Sequence, residues 1–324
     1  MNHEHLVNHI QNPCVRSQNK LYVIGVISNP IRVHSRLRIF RNWLKAMEKI
    51  PHVQVCIVEA AYGDRHHECT EKDNPWHLQV RTHDEIWIKE NMINLAFHHL
   101  LPRDWKYAAW VDTDVFFRDD NWAQETIQQL QHYEVVQPWS HCSDLGPHGD
   151  ILQTFKSFGY QHQRRAPKQM HPTQPYEYAH TGYAWACTRN FYENLPGKGL
   201  MDFPILGSAD HHMAFAMIGE VKNTIHAGMQ PSFFRRCFEW QLTVLPITNK
   251  EVGFVHGRIE HDFHGSKKRR YYRERWEILT EFKFDPDTDL RYNHYGVLQL
   301  VGKPALEHEI HRYNLSRMED SNET

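Results

Sequence analysis

No stretch of this sequence is apolar for the ~20 residues that a membrane-spanning helix needs. Its opening, "MNHEHLVNHIQNPCVRS", lacks the apolar core of a secretory signal. The six cysteines (Cys14, Cys56, Cys69, Cys142, Cys187 and Cys237) form no CxxC pair, and several sit inside apolar runs. That excludes a disulfide framework and leads us to expect free thiols in a reducing, cytoplasmic compartment. There are 26 histidines, yet no HExxH; "HEH" near the start and "HHEC" from His66 do not match it, and the PCxxC of zinc deaminases is missing. Charge of one sign is also missing: 37 Lys and Arg against 39 Asp and Glu leave a net −2, so no global field favours nucleic acid or a membrane surface. No internal repeat is visible. What is present is the balance of a soluble globular protein, 40% hydrophobic and 23% charged.

Strand-like and helix-like runs alternate. "LYVIGVIS" (Leu21–Ser28) reads as a strand ended by the turn pair "NP". Residues 35–50 place Leu37, Phe40, Trp43, Leu44 and Met47 at helical spacing, with Ser35 as the expected N-cap. A second strand over 53–63, a helix over 84–101 and a third strand over 106–117 follow. "NWAQETIQQLQHY" reads as a helix and "EVVQPW" as a fourth strand. The polar stretch 141–176 reads as a loop within one fold. This order predicts an α/β protein with a mostly parallel central sheet and flanking helices. The domain reading is a flexible 1–20, a main unit 21–281 and a C-terminal appendage 282–324.

The third strand carries the first chemical signal. In "KYAAWVDTDVFF" two acids, Asp112 and Asp114, interrupt an apolar run. Buried carboxylates need compensation, and ligands of open α/β sheets bind outside the strands' carboxyl ends. Strand alternation would turn both acids to one side, where oxygen donors suit Mg²⁺ or Mn²⁺. A second signal is "VHGRIEHDFHGSKKRRYYRER", which offers His256, His261 and His264 and then Lys267, Lys268, Arg269, Arg270, Arg273 and Arg275. It can close a metal site and cover a diphosphate, form a solvated basic helix, or bind nucleic acid with its tyrosines stacking on bases. The third is "GSADHHMAFAMIG", in which Asp210 lies near a helix start, either as a capping acid or as a general base.

"VDTDVFF", "HTGYAWACT…ILGSADHHMAFAMIG" and "HDFHGSKK", in this order, resemble the GT-A fold of nucleotide-sugar glycosyltransferases, over residues 21–281. The resemblance implies a Rossmann-like sandwich that transfers a sugar from a nucleotide-diphosphate donor, a UDP-sugar being favoured, to an acceptor hydroxyl. The acceptor could be a glycan, lipid, protein or modified nucleic acid. It implies Asp112, Asp114 and a histidine as ligands of Mn²⁺ or Mg²⁺; His264 is preferred over His261 and His256. Asp210 becomes the base of an inverting transfer, and His180 and Gly182 lie near donor sugar and acceptor. Asn29, Arg36, Glu59 and Asp64 would surround base and ribose. Arg81, Lys89, Asn94, Gly265, Lys267 and Lys268 would contact nucleotide or diphosphate. A hydrolase or nucleotidyltransferase built on the same acids is the alternative, although "SNPIRVHS" has no glycine-rich phosphate loop.

Overall fold

The computed structural model describes residues 20–166, 179–271 and 274–322. Its centre is a seven-stranded sheet. In chain order the first strands are β1 (Leu21–Ser28), β2 (Val53–Tyr62), β3 (His77–Thr82) and β4 (Tyr107–Val111). The rest are β5 (Val115–Phe117), β6 (Val135–Gln137), β7 (His141–Leu145), β8 (Ile151–Ser157), β9 (Ala179–His180), β10 (Ala184–Thr188), β11 (Gly253–Phe254) and β12 (Arg258–His261), then β13 (Leu290–Tyr292) and β14 (Leu298–Leu300). The large sheet runs β11-β6-β10-β4-β1-β2-β3, and only β10 is antiparallel to its neighbours. A second sheet, β5-β12-β7-β8-β9, stands beside it. The described α-helices are α1 (His34–Met47), α2 (Lys89–His99), α3 (Trp122–Gln129), α4 (Phe158–Gln163), α5 (Arg189–Glu193), α6 (Ala209–Met217), α7 (Pro231–Thr248), α8 (Glu274–Glu281) and α9 (Pro304–Ser316). The expected α/β architecture, with a mostly parallel central sheet flanked by helices, is thus the one the chain adopts.

Strand periodicity sorts the core into two layers. Leu21, Val23 and Ile27 of β1, with Val55 and Ile57 of β2, face α1 (His34–Met47), which presents Phe40, Trp43 and Met47. Ile24, Cys56, Val58 and Trp110 face the opposite layer, with α2 (Lys89–His99). Gly25 lets α1 lie close, because a Cβ there would fall 2.5 Å from the Trp43 ring.

The structure corrects four local expectations. Residues 106–117 are two strands in two sheets. β4 ends at Val111, and the turn at 112–114 passes the chain to β5. The polar stretch is not a loop: within 141–163 it forms β7, β8 and α4 (Phe158–Gln163), and its residues 167–176 lie outside the described residues. β3 was not expected, since "HLQVRT" is mostly polar; it is an edge strand paired only with β2. Finally, Ser35 does not cap α1. The helix starts at His34, and Asp320 accepts from the backbone N–H of His34 (2.9 Å) and Ser35 (2.7 Å).

Asp320 belongs to the stretch read as an appendage. This stretch carries α9, the last helix (Pro304–Ser316), whose Leu306, Ile310 and Tyr313 are buried in the second core layer. It meets α1 at Glu319, which accepts from Nε and Nη2 of the Arg36 guanidinium at 2.6 Å each. Of the stretch 1–20 expected to be loose, residues 1–19 lie outside the described residues.

Candidate active site

A cavity of about 530 Å³ opens at the carboxyl ends of β1 and β4. It gathers Arg36, Lys89, Asp112, Asp114, His180, Gly182, Asp210, His261, His264, Arg270 and Arg275 from the sequence expectation, and adds His211, Tyr183, Trp276, Trp87 and Arg317.

The turn after β4 aims its two acids at different partners, because a turn does not keep strand alternation. Asp112 takes Lys89 Nζ at 3.0 Å. Asp114 Oδ2 lies 2.9 Å from His264 Nε2 and 3.6 Å from His261 Nε2. Backbone bonds hold the turn: Asp112 N–H donates to Tyr183 O (2.7 Å) and Asp262 N–H to Asp114 O (2.8 Å). Among the described residues the group able to hold a metal ion is Asp114, His261 and His264, whose ligand atoms lie within 4.8 Å of one another. Asp112 stands outside that trio. The fit to a cation is good on a second ground: Asp114 Oδ1 is buried and has no hydrogen-bond partner.

The electrostatics follow from these contacts. Burial pushes the Asp114 carboxyl up, but the His261 and His264 imidazoles outweigh it and hold it well below the usual range. Burial opposes charge on His261, yet Asp114 and Asp144 push it up to about 9. Asp112 is raised by burial and by Asp114, against the pull of Lys89.

Asp210 is the second residue of α6 (Ala209–Met217), and its Oδ1 accepts from the backbone N–H of His211 at 2.9 Å. The turn before α6 is Gly207–Ser208, both at positive φ (88° and 76°). Ser208 is held there by Arg275 and by Trp276 Nε1 at 3.1 Å, both donating to its Oγ. A Cβ on Gly182 would fall 2.8 Å from Asp210 Oδ2 and 3.1 Å from the His180 ring, so glycine keeps open the space between them. Burial pushes Asp210 up, but Lys89, His180, His211 and Arg275 together hold it below the carboxylate range. His180 stacks on Tyr183 at 4.0 Å, and burial pulls its pKa down to about 3.

Several expected site residues serve the scaffold instead of the cavity. Asn29 closes its own turn, exchanging bonds with Val33 N and O. Glu59 is buried and binds the backbone N–H groups of Glu68 and Cys69 and the Thr70 hydroxyl. Asp64 is exposed. Arg81 donates to the carbonyls of Gly63 and Arg65. Asn94 staples Leu200 through both its backbone groups. Gly265 (φ 86°) packs against the Glu319 backbone, 2.9 Å from where its Cβ would be. Lys267 pairs with Asp144 and donates to Tyr183 Oη at 3.0 Å, while Lys268 is exposed. Gly265, Lys267 and Lys268 line a smaller cavity of about 140 Å³ behind His261 and His264. His256 is exposed and packs on Phe254, away from the trio; Arg273 lies outside the described residues. Asp144, Glu319 and Arg317 escaped the sequence reading. Nothing in their local sequence marks them, since each matters only through a contact made across the fold.

No protein-family model matches the chain, and no curated protein sequence does. Solved structures with a similar chain path include Drosophila β1,4-galactosyltransferase 7 as its catalytic domain with xylobiose. That pair is 14% identical over 89% of this chain and 98% of the other, at a TM-score of 0.38. A mutant of the same protein with manganese, UDP-Gal and xylobiose is 12% identical over 89% and 98%, at 0.39. The 4-diphosphocytidyl-2C-methyl-D-erythritol synthase of Anaerococcus prevotii is 11% identical over 74% and 90%, at 0.32. At these scores the likeness carries no argument about chemistry. Among the described residues no helix is long and apolar enough to cross a membrane.

Proposed function

We propose that this chain is a glycosyltransferase that moves a sugar from a nucleotide-diphosphate donor to an acceptor hydroxyl, with a divalent cation held by Asp114, His261 and His264. One observation carries the reading. The trio, the carboxylate of Asp210 and a set of cations open into the same cavity at the strand ends. A nucleoside diphosphate is polyanionic, and Arg36, Lys89, Arg270, Arg275 and Arg317 line that cavity. Manganese suits the two imidazoles better than magnesium, which demands oxygen donors. When bound, the cation supplies Lewis-acid neutralisation of charge on the departing diphosphate.

The chain's own residues do the rest. Asp210, kept ionised by the cations around it, is placed to take the acceptor's proton as it attacks. An acid base of this kind supports inversion at the anomeric carbon. Lys89, salt-bridged to Asp112, adds a fixed positive charge beside the leaving group's side of the cavity. Gly182 leaves room between Asp210 and His180 for the reacting sugar. The nucleic-acid reading of the basic run loses support, because its Arg270 and Arg275 line the cavity and its Lys267 pairs with Asp144. The five described cysteines are free, which supports a reducing, cytoplasmic setting.

Calorimetry of the chain with Mn²⁺ and a panel of nucleotide sugars, UDP-sugars first, tests the proposal, followed by assay of donor hydrolysis. Asp210→Asn is expected to keep donor binding and lose about 10²–10⁴-fold in transfer. Failure of every donor to bind in the presence of Mn²⁺ would overturn the reading. Transfer undiminished in Asp210→Asn would remove the base assignment.

A further inference from the structure

We propose that Asp144 and Glu319 are positioning residues for the metal centre, each setting a carboxylate beside the Nδ1 edge of one imidazole so that His261 and His264 both present Nε2 toward Asp114. The inference rests on the cation reading of Asp114, His261 and His264 and deepens it, bringing β7 and the segment after α9 into the centre.

The first pair comes from strand register. Asp144 of β7 lies opposite His261 of β12 in a parallel ladder. Its Oδ1 is 3.1 Å from His261 Nδ1 and also accepts the Tyr183 hydroxyl at 2.9 Å. Its Oδ2 takes Lys267 and Gln153. Both oxygens are engaged and the side chain is buried, so the carboxylate cannot swing away. A carboxylate accepts an N–H, so Asp144 keeps a proton on Nδ1 and leaves Nε2, 3.6 Å from Asp114 Oδ2, as the nitrogen that would give up its proton to a bound cation.

The second pair is built differently and ends in the same orientation. His264 Nδ1 is buried without a hydrogen-bond partner and lies 3.5 Å from Glu319 Oε2, so this carboxylate acts on the ring as a nearby charge. On the other side of the ring Arg270 lies 2.9 Å from Nε2, and a guanidinium can only donate, so Nε2 offers its one lone pair to Arg270 and a bound cation would take Arg270's place there. Asp114 Oδ2 faces the same nitrogen at 2.9 Å. Glu319 is itself immobilised, by Arg36 at 2.6 Å on each oxygen and by Arg317 at 2.8 Å. Outer carboxylates of this kind orient a ligating imidazole and raise its basicity.

The test is Mn²⁺ binding to the full chain by calorimetry, with pulsed EPR of the bound ion to count imidazole nitrogens. The parent is expected to bind Mn²⁺ with nitrogen couplings from two imidazoles. Asp144→Asn and Glu319→Gln are each expected to weaken binding by about 10–100-fold. In a double-mutant cycle, Asp144→Asn should add little to the loss caused by His261→Gln, because it acts through that ring. A parent chain that binds no Mn²⁺ overturns the cation reading and this inference together. A parent that binds, with both carboxylate variants unchanged in affinity and spectrum, overturns the inference alone. Fully additive losses in the cycle would show Asp144 acting through general folding, against the proposal. Should Asp144→Asn not fold, Glu319→Gln tests the same claim at the other imidazole, and an unchanged Mn²⁺ affinity there overturns it.

Discussion

Glu59 and Asp114 are both acids in apolar surroundings at the strand-end side of one sheet, and the molecule uses them in opposite ways. Glu59 spends both oxygens on neighbours close in sequence, the backbone of Glu68 and Cys69 and the Thr70 hydroxyl, and so fastens the loop after β2. Asp114 keeps one oxygen without a partner and turns the other toward two histidines from the far end of the chain. A carboxylate saturated by backbone donors is a structural staple. One left incomplete amid convergent ligands is where a further group can bind. The comparison also separates the two halves of the strand-end surface. On the β2–β3 side Glu59 and Arg81 close on loop backbone, whereas on the β4 side Asp112, Asp114 and Asp210 face the cavity.

Exchanging losses between the two acids would break this contrast. Asp114→Ala is expected to abolish measurable Mn²⁺ binding by calorimetry, a larger effect than removing either outer carboxylate. Glu59→Ala is expected to leave Mn²⁺ affinity intact and lower unfolding free energy by about 3 kcal/mol in urea titration, the cost of stranding buried donors. If Glu59→Ala lost Mn²⁺ instead, the division between staple and site would be wrong.

Histidines sharpen the same contrast through pH. His261, between two carboxylates, is pushed up, whereas His212 of α6, bonded to Thr224 Oγ1 at 2.7 Å, is pulled down to about 3 by burial and by His211. The unfolded chain binds a proton at that position below about pH 6.5, and the folded chain does not until near pH 3. His212 therefore leaves full stability above pH 6.5 and subtracts about 1.4 kcal/mol per pH unit as pH falls below it. Urea titrations of the parent and of His212→Gln between pH 7.5 and 5 should differ in slope by about one proton; equal slopes would show His212 protonated in the fold. The smallest effect is expected at the helix cap. Asp320→Ala should cost about 1 kcal/mol through the α1 N-terminus, read as a shift in the urea midpoint. No shift would mean that the C-terminal stretch does not cap that helix in solution.

Much of the frame was legible because it is local. Phe40, Trp43 and Met47 at helical spacing mark the buried face of α1, and "LYVIGVIS" reads as β1 because one strand carries apolar residues to both faces. The polar hairpin of β7 and β8 was illegible for the complementary reason. It belongs to a smaller sheet whose outer residues, such as Ile151 and Leu152, are exposed, so hydrophobic alternation is weak. In the site, the acids of "DTD" and Asp210 stood out because charge interrupts apolar sequence there, and both lie on the cavity. Asn29, Glu59, Asp64 and Asn94 resembled ligands by position alone; in the fold Asn29, Glu59 and Asn94 bond to scaffold backbone and Asp64 is exposed.

By itself, then, the sequence determined the alternating α/β frame and the identity of the acids that disturb it, because periodicity and a charge within an apolar run are properties of neighbouring residues. Only the tertiary structure decided that Asp112 turns to Lys89 while Asp114 turns to His261 and His264, and that Asp144 and Glu319 stand behind those rings. Those pairings join β4, β7, β12 and the stretch after α9. Which side chain meets which across such separations is set by strand register and helix packing, and no local pattern encodes it.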